Sequence, residues 1–270
     1  MKYVAFVDIL GFKEKINRQG HEESIEFLKK FSSNLYNQWR KSEFSKNGNI
    51  GGYIFSDSII IYTNNANPES LKNLLDYLRA IFPKVFLENG VLLRAGIAKG
   101  NFENIVLPEL KNLEKGLLIG KAFIEAYLLE GQNKGAHIQI SGTVKDDIKE
   151  YFSDDFEIIE RHNSEIYLVR WANKKFLFED ENLKKFVDLA NKSGWDTHFY
   201  ETLHLFLTGE KNSQVIFEKI YDYLKINSEK FDYNDIDRYL LNALNEKIDL
   251  NFRKMFLKYL RKSIEKNKKS

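Results

Sequence analysis

The sequence predicts an α+β fold, with a mixed N-terminal region followed by a helical C-terminal one. Short, nearly continuous apolar runs rich in β-branched and aromatic residues alternate, through about residue 171, with stretches whose apolar residues recur at helical spacing. Beyond Trp171 the strand signals stop and only helical periodicity remains.

The first run, Tyr3 to Leu10, reads as a strand buried on both faces and ends at Gly11. From Glu22 to Arg40, Ile25, Leu28, Phe31, Leu35 and Trp39 mark a helix. A polar segment, Ser45 to Gly52, leads to two strands, Tyr53–Phe55 and Ile59–Tyr62, joined by the tight turn Ser56-Asp57-Ser58. Pro68 opens a second helix with Leu71, Leu74, Leu75, Leu78 and Phe82 on one face. Val91 to Ala98 is the next strand. A polar loop through Glu114 follows, then a helix over Gly120–Gly131, a strand at His137–Ile140, and a hairpin over Asp155–Glu160 and Glu165–Trp171 that turns at His162-Asn163-Ser164. The order strand, helix, two strands, helix, strand is the split βαβ, ferredoxin-like plan with additions. The boundary falls near Ala172–Lys175, giving regions 1–172 and 173–270. In the second, helical spacing runs through Phe217–Ile220–Tyr221–Leu224 and Phe252–Phe256–Leu257–Leu260, and a lysine-rich tail, Lys262 to Ser270, closes it.

Composition narrows the function classes. The formal charge is +2, with both signs mixed along the chain, so no basic face points to nucleic acid. Cysteine is absent, which excludes disulfides and thiolate zinc sites. No apolar run is long enough to span a bilayer, and the start lacks the pattern of a signal peptide, so the expectation is a cytoplasmic protein without membrane insertion. The histidines His21, His137, His162, His198 and His204 form no metal-binding pair by spacing, and there is no Walker-type loop.

Two acidic residues stand out. Asp8 ends an apolar strand and Asp57 lies on the turn between two others; burying a lone carboxylate is costly, so each position asks for a partner. In the split βαβ plan both reach the same end of the sheet, where paired carboxylates suit a hard divalent cation, Mg²⁺ or Mn²⁺. The alternative is that Asp8 caps the following helix and Asp57 simply belongs to its turn. Directly after Asp8, Ile9-Leu10-Gly11-Phe12-Lys13 leads from a strand into a helix and leaves backbone N–H groups suited to phosphate.

The segments FVDILGF, YIFSD, LRAGIAKG, GKAFIEAYLLEG and HIQIS resemble, in order and spacing, class III nucleotidyl cyclase catalytic domains, over roughly residues 3 to 170. They are closer still to the bacterial pyrimidine cyclases of Pycsar antiphage defence. The resemblance implies conversion of a nucleoside triphosphate to a 3′,5′-cyclic monophosphate and pyrophosphate, cyclic UMP or cyclic CMP in the pyrimidine enzymes. It also implies a head-to-tail homodimer with sites across the interface. Transferred residue by residue, Asp8, Asp57 and the Ile9 carbonyl match the ligands of two metal ions. Leu10, Gly11, Phe12 and Lys13 match the phosphate-binding turn. Tyr53 stands four residues before Asp57, where purine cyclases place a base-reading lysine; it is either a base-binding residue or an ordinary strand aromatic.

One departure is plain. The family's helix carries an Asn and, four residues on, an Arg that stabilise the transition state; here those places hold Ile124 and Leu128, which donate no hydrogen bond. Lys99, Lys121 and Arg94 are the candidates to replace them. Three rival readings share the same residues: a cyclase fold that binds without catalysis, a polymerase-palm relative joining two nucleotides, and a purine cyclase.

Overall fold

The computed structural model describes residues 1–41, 49–106, 116–152, 155–160, 165–173, 176–177, 179–193, 196–207, 256 and 258. The chain divides into two compact units, Met1–Trp171 and Ala172–Ser270.

The first unit is built on a seven-stranded sheet. Its strands are β1 (Lys2–Ile9), β2 (Ile50–Phe55), β3 (Ser58–Thr63), β4 (Leu93–Gly100), β7 (Ile138–Ile140), β8 (Ile158–Glu160) and β9 (Tyr167–Val169), in the order β2-β3-β1-β4-β7-β9-β8. The first four pair antiparallel in the order expected of a split βαβ core, with β1 between β3 and β4. Only β7 joins parallel, beside β4. The predicted α+β, ferredoxin-like plan is therefore present.

Helices cover both faces of β1. On one side lie α2 (His21–Lys41) and α3 (Pro68–Asn89), packed on each other. Pro68 sits at the start of α3, Asn67 caps it by accepting from the Ser70 N–H at 2.8 Å, and Leu71, Leu74, Leu75, Leu78 and Phe82 are all buried, as their spacing predicted. Burial of each such side chain contributes about 1.5–3 kcal/mol. On the other side α4 (Lys121–Gln132) lies along β1 and β4, where Val4, Ala98, Ala122, Ala126 and Leu129 form a small core. Gly96 is what allows that approach: a Cβ there would stand 2.0 Å from the Ala126 carbonyl oxygen. Strand alternation then puts Val4, Phe6 and Asp8 on the α4 side of β1.

Three features differ from the sequence reading. The strand β2 begins at Ile50, so Gly51 and Gly52 are ladder residues rather than loop; Gly51 leaves room for the Tyr62 ring, which a Cβ would meet at 2.7 Å. The region read as a polar loop holds a separate two-stranded sheet, β5 (Glu103–Val106) with β6 (Gly116–Ile119). A helix unread from the sequence, α5 (Gly142–Tyr151), is capped by Ser141 and buries only Val144, Asp147 and Ile148, too few apolar positions to announce a period. The helix expected directly after Gly11 is the short α1 (Phe12–Arg18), which precedes α2.

In the second unit, α6 (Asp180–Ser193) and α7 (Asp196–Leu207) pack through Phe186 and Phe199, ring centroids 5.1 Å apart. The expected turn at His162-Asn163-Ser164, the spacing over 217–224, most of 252–260 and the tail lie outside the described residues. No helix among the described residues is long and apolar enough to cross a membrane.

Candidate active site

The site is set by the end of β1. Asp8 pairs in register with Ser58 of β3 on one side and Arg94 of β4 on the other. Asp57 is one residue from that partner, in the two-residue turn joining β2 and β3. Its carbonyl accepts from the Ile9 N–H at 3.3 Å, which ties the turn to the end of β1. Ser56, in the same turn, has a positive φ of 56°, an uncommon conformation for a residue with a Cβ and a small local cost in strain.

The Asp8 carboxyl is pushed up to about 7. Burial is the largest cause, followed by the negative charges of Glu130 and Asp57; Arg94 and a hydrogen bond from the Ser58 hydroxyl, 3.3 Å to Oδ1, oppose them. The two sequence-predicted aspartates are thus close enough to repel. A third acid joins them. Glu130, 4% exposed in the last turn of α4, forms an ion pair with Arg94 Nε, and burial raises its pKa as well. Arg94 also donates from Nη1 to the Asn133 carbonyl at 3.2 Å. Phe6, Asp8, Ser58, Arg94, Tyr127 and Glu130 line an open groove of about 610 Å³.

Three carboxylates around one guanidinium leave excess negative charge. Among the described residues no group of three or more His, Asp or Glu side chains is placed to hold a metal ion, so any cation here would rest on two carboxylates at most. The donor set nonetheless fits a divalent cation that takes its remaining ligands from main-chain oxygen, water or a phosphate, because the negative charge that Asp57 places beside the buried Asp8 carboxyl is relieved by a shared positive charge.

The other predicted residues fall in different places. Gly11, with φ 74°, caps α1, and Phe12 and Lys13 form its first turn, with Lys13 exposed. Lys15, two residues on, rests over the Phe27 ring at 4.5 Å. Lys99 is at the opposite end of β4 from Arg94, where its Nζ donates to Asp147 Oδ2 at 2.7 Å. Lys121 opens α4, at the other end of that helix from Glu130, and is exposed. Neither lysine is brought to the Asp8–Asp57 pair of its own chain; of the three candidate cations only Arg94 is. Ile124 and Leu128, where the Asn and Arg would stand, are 58% and 56% exposed on α4, with Leu128 at the wall of the groove.

Tyr53 lies on the α4 side of the sheet, away from Asp8. Its hydroxyl donates to Asn104 Oδ1 at 2.8 Å, Asn104 Nδ2 donates to the Tyr62 hydroxyl at 3.0 Å, and the two tyrosine rings stack at 6.3 Å.

No protein-family model matches the chain, and no curated protein matches it in sequence. Solved structures do. The guanylate cyclase domain of RhGC from Catenaria anguillulae, in complex with GTP, is 18% identical with a TM-score of 0.52, covering 63% of this chain and 95% of that one. The fold is that of a nucleotidyl cyclase catalytic domain. The catalytic core of a rhodopsin-guanylyl cyclase with converted specificity, in complex with ATPαS, gives 0.50 at 18% identity over 62% of this chain and 94% of that one. A bacterial light-regulated adenylyl cyclase gives 0.50 at 16% identity, over 71% and 57%. In the cyclase fold seen here, sequence reasoning missed Glu130. Its signal was available: Ala122, Ala126, Leu129 and Glu130 share one helical stripe, so the acid continues a buried face.

Proposed function

We propose that the chain is a metal-dependent nucleotidyl cyclase that converts a pyrimidine nucleoside triphosphate, UTP or CTP, to its 3′,5′-cyclic monophosphate, cUMP or cCMP, releasing pyrophosphate. The product would serve as a second messenger in antiphage defence. Residues 1–172 carry the chemistry in this reading, and 173–270 form a helical extension. The observation that supports it above all is the meeting of Asp8 and Asp57 at one sheet end within a cyclase fold.

Asp8, Asp57 and the Ile9 carbonyl would hold two Mg²⁺ or Mn²⁺ ions. When bound, such ions supply the charge that lowers the pKa of a ribose hydroxyl and neutralises phosphate oxygens. The chain's own residues bind and orient. Backbone N–H groups across Gly11, Phe12 and Lys13 receive phosphate, that of Leu10 being spent on the Leu92 carbonyl at 2.9 Å; the Lys13 ammonium adds exposed positive charge, and Arg94, paired with Glu130, lines the groove. The ribose 3′-oxygen then bonds to the α-phosphorus as the bond to the bridging oxygen breaks. Pyrophosphate leaves with that electron pair, and the hydroxyl proton passes to solvent. Tyr53, its hydroxyl fixed by Asn104, reads the base in the pocket of the partner protomer of a head-to-tail homodimer.

A second reading, a cyclase fold that binds nucleotide without turnover, is favoured by Ile124 and Leu128, which offer no transition-state donors. One assay separates the readings. Purified protein is incubated with each of the four labelled triphosphates and Mg²⁺ or Mn²⁺, and products are identified by mass. Cyclic UMP or cyclic CMP is expected. A cyclic purine nucleotide would make it a purine cyclase, a joined dinucleotide a polymerase-type enzyme, and no product from any triphosphate the non-catalytic binder.

A further inference from the structure

Arg94 faces Asp8 directly across the β1–β4 ladder, yet its guanidinium is drawn the other way. Nε donates to Glu130, and Nη1 to the Asn133 carbonyl, both at the C-terminal end of α4. No hydrogen bond or ion pair joins Arg94 to Asp8, whose carboxylate accepts from Ser58 instead. An arginine opposite an aspartate in a strand pair ordinarily forms a charge-assisted contact. Here a buried glutamate takes the arginine first. Glu130 reaches it because Gly96 admits the α4 backbone against β4 and the stripe Ala122, Ala126, Leu129 turns that face toward the sheet.

We propose that Glu130 is a positioning residue that holds Arg94 off Asp8, leaving Asp8 and Asp57 free to bind a divalent cation. This rests on the reading of the two aspartates as a cation site. The cluster carries three carboxylates against one guanidinium, and neutralising Glu130 leaves two against one, with the arginine released beside Asp8. Either consequence opposes a second cation.

The test is a Mn²⁺ titration of the full chain without nucleotide, read by the electron paramagnetic resonance of free Mn²⁺. Glu130→Gln, which keeps shape and a hydrogen-bond acceptor, weakens binding about tenfold or more. The double variant R94M/E130Q, which removes both members of the pair, regains the wild-type affinity to within about threefold, as expected when a buried ion pair is replaced whole. Arg94→Met alone binds Mn²⁺ at least as tightly as wild type. Wild-type affinity in Glu130→Gln overturns the proposal, as does a loss that persists in the double variant or weakened binding in Arg94→Met. The cation reading itself fails differently: wild type then shows no Mn²⁺ binding that Asp57→Asn removes.

Discussion

The two ends of the β1–β4 ladder carry similar side chains in opposite electrostatic states. At the Tyr3 end, Asp147 accepts from the Tyr3 hydroxyl at 2.8 Å and from Lys99 Nζ at 2.7 Å, and Lys99 also lies over the Tyr3 ring. That acid is matched by a cation and a hydroxyl. At the Asp8 end the cation is already taken by Glu130, and two aspartates are left facing each other. An acid beside an arginine or lysine in a sheet is therefore no guide to a site by itself; what distinguishes the Asp8 end is charge left over after every pairing is made.

The largest effect should follow from removing that surplus. Asp57→Ala is expected to lower cyclase turnover at least about a thousandfold while circular dichroism and melting stay near wild type, since Asp57 sits half-buried on a two-residue turn outside the core. Full activity in that variant would break the contrast between the two ends. The pH dependence sharpens it. The Asp8 carboxyl is raised from the ordinary 3.8 to about 7, so protons compete with cations for it below neutrality. Each pH unit below 7 should raise the Mn²⁺ concentration giving half-maximal activity roughly tenfold, with little change above pH 8. Without metal, the folded chain retains a proton that the unfolded chain releases between about pH 4 and 7. Its stability therefore falls as pH rises through that window, and Asp8→Asn should flatten the fall in melts recorded from pH 4 to 8. At the other end, Asp147→Asn should cost about 1–3 kcal/mol in denaturant melts and leave turnover per folded molecule unchanged. A large loss of turnover there would mean that the two ends are not functionally distinct.

How much of this was legible follows the same physics. Strands β1, β3 and β4 announced themselves as nearly continuous apolar runs, and α3 because its apolar stripe is capped by Asn67 and Pro68. Asp8 and Asp57 were legible as acids interrupting such runs. The start of β2 was not, since Gly51 and Gly52 read as loop and earn their place only against Tyr62 and Trp39, contacts that no local pattern encodes. The hairpin of β5 and β6 pairs across residues that carry little alternation, and α5 buries too little to show a period. Glu130 could be read only by treating α4 as a buried helix first, and its partner Arg94 only through the register of β1 on β4.

The smallest expected effect concerns the base, and it asks whether the contrast extends beyond charge. Tyr53 is remote from the Asp8 cluster of its own chain, and its hydroxyl proton is committed to Asn104, so the oxygen has only acceptor capacity left. Replacing Tyr53 by Ala removes the ring that stacks on Tyr62 and frees Asn104; replacing it by Lys introduces donors and charge. Both variants should shift the ratio of products from the four triphosphates by several-fold while leaving the Mn²⁺ requirement within about twofold of wild type, because neither touches the acids that bind the cation. Competition assays with mixed triphosphates measure the first quantity and metal titrations the second. If the product ratio is constant across Tyr53, Ala and Lys, the stacked pair on β2 and β3 is packing alone, and base selection resides elsewhere in the fold.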